Sequence, residues 1–291
     1  MKKFLLGVIP ALIIGLSFAG MLTLVSSKIA DKVVRIELPA AIDREISQQT
    51  LKTPAPATVD FDKLQQVSVK VVVPGGSGSG VVVVRYAGAD QLTYVVTAGH
   101  VVEGVKEATI YQEMRWGGHL IATREYRAKV IAYSAPDDQD LAILLVDGNF
   151  SCGAKFYTDL VPTGSEIIHV GSTLGIYNSV SRGIISQTDR DILGTGIEFD
   201  QTSCMSYPGS SGGGVFLPTG ECIGILVRGA GPGLNFIVPA RRVRAWAKSV
   251  GMEYIIDPTT DVTHHKGDNS LKPTKDDETS AIMPLPPGGP E

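Results

Sequence analysis

Short runs of apolar residues, separated by Gly, Pro, Asp and Asn, fill the middle of this chain of 291 residues. Residues 67–71 alternate apolar and polar side chains, which is the two-residue period of a half-buried β-strand. Runs of similar character predict ten strands, at 67–71, 81–84, 92–97, 108–111, 128–133, 141–146, 166–170, 183–187, 221–227 and 235–238. The Gly and Ser residues at 75–80 are predicted to form a turn. Many short strands at fairly even spacing indicate a barrel or a sandwich of antiparallel sheet.

One helix is predicted, at residues 240–250. Its apolar side chains follow the i, i+3, i+4, i+7 spacing of an amphipathic helix, and Gly251 is a typical stop signal. These apolar positions are Val243, Trp246, Ala247 and Val250. The basic residues of the same helix are expected to form a solvated outer face: Arg241, Arg242, Arg244 and Lys248.

The first 27 residues form a separate segment. Between Lys3 and Lys28 no residue is charged, and the segment is long enough to cross a hydrocarbon core of about 30 Å as a helix. Cleavage as a signal peptide is the alternative, because Ser17 and Ala19 form a small-x-small site before Gly20. The apolar run continues beyond that site, which favours an uncleaved membrane anchor. In both cases we expect the bulk of the chain to be exported, either anchored to the membrane or secreted.

The regions on both sides of the predicted strands show no pattern of a packed core. Residues 28–60 mix charges with a Thr-Pro-Ala-Pro-Ala-Thr run, which indicates an extended linker. Residues 257–291 are polar, charged and rich in Pro at the end, which predicts a disordered tail. Residues 61–256 are therefore predicted to be the folded unit that carries the function.

The composition narrows the class of protein. The chain has 33 Gly, 17 Pro and only 19% charged residues, which excludes a coiled coil, a collagen and a wholly disordered chain. A net charge of −4 provides no electrostatic footprint for nucleic acid. The three cysteines, Cys152, Cys204 and Cys222, are too few for a disulfide framework. We expect small buried thiols, with a Cys204–Cys222 disulfide as the alternative.

The sequence Tyr-Pro-Gly-Ser-Ser-Gly-Gly-Gly at 207–214 carries the strongest candidate chemistry. Small residues around Ser211 allow the backbone to approach a substrate and to direct its N–H groups at one point, as an oxyanion hole requires. The same segment satisfies the Gly-x-Ser-x-Gly pattern of the nucleophile elbow of α/β hydrolases. That fold needs a helix directly after the serine and a catalytic histidine later in the chain. The only later histidines, His264 and His265, lie in the polar tail, so the elbow is excluded.

A histidine and an aspartate earlier in the chain complete a candidate catalytic set. His100 follows the apolar strand at 92–97. Asp140 stands at the start of the buried strand at 141–146, where a carboxylate can orient an imidazole. The neighbouring aspartates and two other histidines are expected to be solvated or structural residues: Asp137, Asp138, His119 and His169.

Together these segments resemble the trypsin-like serine proteases, and among them the bacterial HtrA (Deg) type. The resemblance covers about residues 64–250. Thr-Ala-Gly-His at 97–100 resembles the histidine motif of the family, Asp-Leu-Ala-Ile-Leu at 140–144 its aspartate motif, and Pro-Gly-Ser-Ser-Gly-Gly at 208–213 its serine motif. The order of the three motifs and the Gly-Ser-Gly-Ser-Gly run before a strand agree with the same family.

The resemblance implies an all-β fold of two antiparallel, chymotrypsin-like β-barrels, at about 61–150 and 159–240, followed by the helix. His100 and Asp140 from the first barrel and Ser211 from the second would form a catalytic triad in the crevice between the barrels. The implied activity is that of a serine endopeptidase, which cleaves polypeptide substrates through an acyl-enzyme. Such an enzyme needs no metal and no organic cofactor.

The resemblance also implies how a substrate is held. The backbone N–H groups of Gly209 and Ser211 would bind the oxyanion. The remaining substrate-binding residues would be Met205, near the base of the specificity pocket, and Val227, Arg228 and Gly229, along the strand that pairs with the substrate. No acidic residue falls at the base of this pocket. We therefore expect a small or medium apolar residue before the cleaved bond rather than Lys or Arg.

The biological role is less constrained than the chemistry. HtrA proteins usually carry PDZ domains after the protease, whereas 35 mostly polar residues follow position 256 here, so regulation through PDZ domains is not expected. The resemblance implies a role in protein quality control or processing. Two alternatives are a protease that processes its own chain or a phage or viral assembly, and a catalytically silent binding module on the same fold.

Overall fold

The computed structural model describes residues 59–176, 178–231 and 233–262. The predictions for residues 1–27, for nearly all of the linker at 28–60 and for the tail beyond residue 262 lie outside these ranges. Among the described residues, no helix is both long and apolar enough to cross a membrane. The chain enters the described region through a short helix, α1 (Phe61–Gln66), which Asp60 caps by accepting the Lys63 N–H at 3.0 Å.

Six antiparallel strands close into a first barrel in the order β1-β2-β3-β6-β5-β4. The strands are β1 (Ser68–Val73), β2 (Gly76–Ala87), β3 (Asp90–Thr97), β4 (Glu107–Trp116), β5 (His119–Ser134) and β6 (Leu141–Asp147). The run Val81, Val82 and Val83 on β2 is fully buried on both faces. One reason is that the segment between the barrels crosses this strand, where Ala154 donates its N–H to Val82 O at 2.8 Å.

A second group of six antiparallel strands closes into another barrel, in the order β10-β11-β12-β9-β8-β7. The strands are β7 (Glu166–Gly171), β8 (Ser179–Asp191), β9 (Glu198–Thr202), β10 (Gly214–Phe216), β11 (Cys222–Gly231) and β12 (Leu234–Pro239). The prediction of an all-β fold with two antiparallel barrels is confirmed. The sequence patterns did not identify β9, which carries Glu198 and Asp200, or the three-residue strand β10.

The prediction of a turn at residues 75–80 is wrong beyond its first position. Only Gly75 has the left-handed backbone of a tight turn, with φ of +85°, and β2 begins at Gly76. Gly78 and Gly80 are strand residues that other groups approach closely. A Cβ atom on Gly78 would lie 2.9 Å from the Ser211 carbonyl oxygen, and one on Gly80 would lie 2.3 Å from the Val95 side chain. The glycines therefore serve close packing rather than a change of chain direction.

The predicted helix is present as α2 (Ala240–Ser249), and a short helix α3 (Glu253–Ile256) follows it. Val243, Trp246 and Ala247 are buried as expected. Val250 lies just beyond the end of α2 and is 40% exposed, so its placement on the buried face is wrong. Gly251 follows with φ of +75°, in agreement with the predicted stop.

The prediction of a solvated basic face on α2 is wrong for its first two arginines. Arg241 donates two hydrogen bonds of 2.9 Å to the buried carboxylate of Asp200 on β9. Arg242 donates to the side chain of Gln139 and to Glu198 O. Only Lys248 is largely exposed. The helix is thus attached to the second barrel by charged groups as well as by its apolar side chains.

Replacing Arg241 by Met is expected to destabilise the protein by about 3 kcal/mol, because the Asp200 carboxylate would remain buried without its counter-ion. The matched control is Arg244→Met, which removes a more exposed arginine that pairs with Glu253 and Asp257. We expect a cost below about 1 kcal/mol for this control. Urea unfolding of the full-length variants measures both values. Equal losses of stability in the two variants would contradict the assignment.

The three cysteines are free thiols, so the alternative of a Cys204–Cys222 disulfide does not apply. Cys204 and Cys222 are buried, as predicted, and Cys152 is partly exposed. Burial raises the pKa of the Cys204 thiol to about 11 and that of Cys222 to about 12. Both groups are therefore neutral core residues at physiological pH.

Candidate active site

An open cleft of about 560 Å³ lies between the two barrels. Residues of both barrels line it: His100, Pro136, Asp140, Ile192, Val227, Arg228, Gly229, Ala230 and Phe236. Within the described ranges, no group of three or more His, Cys, Asp or Glu side chains is placed to hold a metal ion. The cleft thus brings together His100, Asp140 and the predicted residues of β11.

His100 is positioned by a 3₁₀ turn, Gly99–Val102, which Ala98 separates from the end of β3. Gly99 allows this turn to pack against the connection between β5 and β6, because a Cβ atom there would lie 2.2 Å from Ser134 O and 3.1 Å from Leu141 N. Asp140 directly precedes Leu141 in that connection. The glycine before the histidine therefore fixes how closely the two side chains approach each other.

Asp140 is 1% exposed and has a left-handed backbone with φ of +53°. Aspartate is one of the few non-glycine residues that adopt this conformation readily. The Asp140 N–H donates to Ala135 O at 3.0 Å, which closes the loop before β6. Asp137 and Asp138 are exposed in that loop, as predicted. The hydrogen bond from the Ser134 hydroxyl is the main reason that the pKa of Asp138 lies below its usual value.

The carboxylate of Asp140 holds His100 at two points. Both of its oxygens lie 3.0 Å from Nδ1 of the imidazole, and Oδ1 also accepts the backbone N–H of His100 at 2.9 Å. Because a carboxylate can only accept, this contact places the imidazole hydrogen on Nδ1. Nε2 is left with its lone pair, and the His100 side chain is one-third exposed at the cleft. This arrangement can accept a proton from a hydroxyl group and stabilise the resulting imidazolium.

Ser211 lies in the loop between β9 and β10, which packs against the segment that leads to His100. The Ser211 carbonyl accepts the N–H of Ser79 at 2.7 Å. A Cβ atom on Gly212 would lie 2.2 Å from Thr97 Oγ1 and 3.0 Å from Ala98 N. Within the described part of the chain, no hydrogen bond joins Ser211 Oγ to His100. A hydrogen bond between a serine and a histidine of this kind commonly tightens only when a substrate is bound.

The two N–H groups that the sequence singled out have no acceptor among the described residues. In this loop the N–H groups of Ser210, Gly212 and Gly213 donate to backbone carbonyls, whereas those of Gly209 and Ser211 do not. Gly209 has φ of +93°, and a Cβ atom there would lie 2.5 Å from Ser172 O. Only glycine fits this conformation and this contact. The loop therefore keeps two backbone donors available for a ligand.

The predicted substrate-binding residues divide into two groups. Val227, Arg228 and Gly229 line the cleft on β11. Met205 is not among the residues that line it; its side chain is 47% exposed, and its carbonyl accepts the Ser181 hydroxyl at 2.9 Å. The sequence did not reveal that Arg228 crosses the cleft and donates to Pro136 O, in the loop that precedes Asp140.

Neither His169 nor His119 is among the residues that line the cleft. His119 is the exposed first residue of β5. His169 on β7 is buried, and burial lowers its pKa to about 4. A Cβ atom on Gly213 would lie 2.8 Å from His169 Nε2, so the ring packs against the end of the loop that carries Ser211.

Comparison with known proteins agrees with this geometry. Residues 62–225 match the trypsin-like peptidase domain. A probable periplasmic DegP-like serine endoprotease of Pseudomonas savastanoi is 31% identical over 153 residues, which are 50% of this chain and 30% of that protein. The periplasmic pH-dependent serine endoprotease DegQ of Escherichia coli is 30% identical over 184 residues, which are 60% of this chain and 37% of that protein. The chain thus spans about a third of the length of these curated relatives.

A solved structure gives the same assignment. The HtrA-type protease AlgW with a tripeptide is 25% identical and has a TM-score of 0.52, with 64% of this chain and 60% of that chain covered. The matched domain, the two closed barrels and the cleft between them all point to one family. The chain therefore belongs to the trypsin-like peptidase family, and its relatives are serine proteases of the HtrA and DegP-like type.

Proposed function

We propose that the chain is a serine endopeptidase in which Ser211 is the nucleophile, His100 the general base and acid, and Asp140 the group that orients His100. The observation that carries this proposal is the contact of both Asp140 carboxylate oxygens with His100 Nδ1 at 3.0 Å, beside a loop with two uncommitted N–H donors. The relatives are serine endoproteases by name, which supports the same activity. Residues 61–256 form the proposed protease domain.

The reaction proceeds in two halves. His100 Nε2 takes the hydroxyl proton while Ser211 Oγ forms a bond to the carbonyl carbon of the peptide. The imidazolium then gives this proton to the leaving amine, the C–N bond breaks, and an acyl-enzyme remains. Water, deprotonated in turn by His100, attacks the ester and releases the carboxylic acid product together with the regenerated serine. Asp140 stabilises the imidazolium in both halves and keeps the hydrogen on Nδ1.

Negative charge develops on the carbonyl oxygen in each tetrahedral intermediate. The N–H groups of Gly209 and Ser211 bind this oxygen in the proposal, and each donor is worth about 3 kcal/mol of transition-state stabilisation. No metal or organic cofactor takes part in these steps. Gly209 and Gly212, on either side of these donors, have left-handed backbones and close contacts that exclude a side chain.

Substrate binding follows from the lining of the cleft. In the proposal Val227, Arg228 and Gly229 hold the peptide backbone along β11. The role of Met205 near the base of the specificity pocket rests on the family resemblance alone, because Met205 does not line the cleft. No acidic residue stands at the position that the resemblance assigns to the base of this pocket, so the proposal includes a small or medium apolar side chain before the cleaved bond. Because the named relatives are periplasmic, the chain acts on polypeptides after export; a membrane anchor or a cleaved signal peptide at residues 1–27 accounts for that export.

Labelling with a fluorophosphonate probe tests the proposal. The full-length protein is expected to react covalently at one serine, and peptide mass mapping is expected to place the adduct on Ser211 rather than on Ser210. Ser211→Ala is expected to show no labelling at all. Folded wild-type protein that does not react, or an adduct on any other serine, would overturn the proposal and would favour a silent binding module.

A further inference from the structure

Ser79 on β2 of the first barrel makes four hydrogen bonds around the loop that carries Ser211. The residue is 0% exposed. Its hydroxyl donates to Gly209 O at 2.7 Å and accepts the Ser172 N–H at 2.7 Å. Its backbone N–H donates to Ser211 O at 2.7 Å, and its carbonyl accepts the Thr97 hydroxyl at 2.6 Å. A single residue of the first barrel thus holds the carbonyls of both residues whose N–H groups are uncommitted.

We propose that Ser79 is a positioning residue for the oxyanion hole, an inference that rests on the proposed peptidase function. The hydroxyl fixes the carbonyl of Gly209 and therefore the ψ angle of a residue that has no side chain to restrict it. The backbone N–H does the same for the carbonyl of Ser211. The two fixed carbonyls belong to the peptide groups on either side of the one that carries the Ser211 N–H, and the first of them directly follows the Gly209 N–H. Because each peptide group is planar and rigid, fixing these neighbours restricts how the two donor groups can turn. Ser79 acts through these backbone groups and does not touch the substrate.

The surroundings of Ser79 indicate that the hydroxyl is there for this contact rather than for the strand. Serine adds little to a buried strand, where β-branched and aromatic side chains pack best, and Val81, Val82 and Val83 follow on the same strand. The Ser79 hydroxyl both donates and accepts at 2.7 Å, so its hydrogen-bonding capacity is well used. An alanine at this position would leave the Gly209 carbonyl and the Ser172 N–H without their partner.

The loop has further restraints, which define what Ser79 alone contributes. Pro208 O accepts the Leu174 N–H at 2.7 Å, and Ser210 Oγ contacts Thr173 Oγ1 at 3.0 Å. These contacts come from the second barrel, to which the loop itself belongs. Ser79 connects the loop to the first barrel, which carries His100 and Asp140. Its loss is therefore expected to change the placement of the two donors relative to His100 and to leave the loop attached to its own barrel.

The test compares Ser79→Ala with Thr97→Val in the full-length protein. Thr97→Val also removes a buried hydroxyl, one that bonds to Ser79 O and does not contact a Gly209 or Ser211 carbonyl. We expect Ser79→Ala to lower kcat on a peptide substrate by about 10- to 100-fold with KM within about twofold, because a displaced donor weakens binding of the oxyanion and not of the ground state. Thr97→Val is expected to keep kcat within about threefold, although both variants lower the melting temperature.

The affinity for a peptide trifluoromethyl ketone is a second measurement, and a purely structural role of Ser79 would leave it unchanged. This compound forms an adduct with the serine whose oxyanion occupies the hole, so Ser79→Ala is expected to weaken its binding by the same factor as kcat/KM. The dissociation constant of the peptide product is expected to stay within about twofold of wild type, because the product makes no oxyanion and its contacts elsewhere in the cleft are unchanged. Ser79→Thr, which keeps the hydroxyl, is expected to restore at least half of the wild-type kcat.

Several outcomes would overturn the inference. They are an active wild type with unchanged kcat in Ser79→Ala, equal losses in Ser79→Ala and Thr97→Val, or a KM effect alone. If Ser79→Ala does not fold, Ser79→Cys is the replacement variant, because a thiol is similar in size to a hydroxyl but forms only weak hydrogen bonds. A kcat of Ser79→Cys within about twofold of wild type would then refute the proposal. A wild type without activity or fluorophosphonate labelling would instead refute the proposed function.

Discussion

Asp140→Asn is expected to lower kcat by about 10⁴-fold and to leave the fold intact. The amide keeps one oxygen, which can still accept the backbone N–H of His100, now 2.9 Å from Oδ1. The NH₂ group then faces Nδ1 of the imidazole and donates to it. Nδ1 becomes an acceptor and the ring hydrogen moves to Nε2, which then lacks the lone pair that takes the Ser211 proton in the proposed mechanism. The defect is therefore one of tautomer rather than of position.

The backbone at Asp140 makes Asn the right replacement. Its φ of +53° lies in the left-handed region, which Asn adopts as readily as Asp, so the loop before β6 does not need to rearrange. The matched control is Asp138→Asn, two residues earlier in the same loop, whose exposed carboxylate bonds to the Ser134 hydroxyl. This control is expected to keep kcat within about threefold, because an amide oxygen can still accept that bond.

Steady-state cleavage of a peptide substrate by the full-length variants gives the measurement, and the melting temperature reports on the fold. We expect melting temperatures within a few degrees of wild type for both variants. If Asp140→Asn retained a tenth of the wild-type kcat, Asp140 would not hold the tautomer of His100. If both aspartate variants lost activity equally, the loop as a whole and not Asp140 would be responsible.

Much of this site could be predicted from the sequence, because its signals are local. His100 directly follows a strand, Asp140 directly precedes one, and the two free donors belong to the glycine-rich segment around Ser211. The N–H groups of Gly209 and Ser211, which the sequence singles out, bond to no acceptor among the described residues, and their role as the oxyanion hole stays a prediction. Each of these features depends on residues within a few positions of one another, so the order of residue types is sufficient to indicate them.

The contacts between barrels could not be predicted in this way. Ser79 is 130 residues away from Gly209, and Arg228 is 92 residues away from Pro136, so no local pattern connects either pair. The glycines of β2 indicated a turn because glycine is common in turns; they are in a strand because Val95, Val101 and Ser211 come too close for a side chain.

Contacts between distant residues also explain why the prediction of a solvated basic face on α2 is wrong. Arginines spaced along one helix resemble a solvated face, and only the fold reveals that Asp200 on β9 lies opposite Arg241. A charged residue in a strand also weakened the signal for β9 itself. Ion pairs that are buried between distant elements therefore obscure both partners in a reading of the sequence, because each partner looks like a surface residue on its own.

Gly212→Ala is expected to destabilise the full-length protein by at least about 4 kcal/mol, which combines a strained backbone with overpacking. Gly212 has φ of +85°, and its Cβ would lie 2.1 Å from Ser79 O and 2.2 Å from Thr97 Oγ1. Neither oxygen can move easily, since the Thr97 hydroxyl already bonds to Ser79 O at 2.6 Å. The added methyl group would therefore push the Ser211 loop away from the first barrel.

Gly220→Ala separates the effect of the strained backbone from the effect of overpacking. Gly220 has φ of +93°, close to that of Gly212, but a Cβ atom there would meet no atom within 4 Å. This control carries the backbone strain alone and is expected to cost about 1 kcal/mol, or a fall of roughly 2–4 °C in melting temperature. Gly212→Ala is expected to fall by roughly 8–16 °C, on the same scale of about 2–4 °C per kcal/mol.

Activity at a temperature where both glycine variants are folded gives the second half of this test. A displacement of the Ser211 loop by about 1 Å is enough to lower the rate about 100-fold. Gly220 lies outside this loop, in the turn between β10 and β11, so its variant is expected to keep the wild-type rate within about threefold. Similar melting temperatures for the two variants would mean that the loop yields without strain. In that case Gly212 would be needed only for its backbone conformation, and the close contact of the barrels at Ser79 would not hold the loop that carries Ser211 in place.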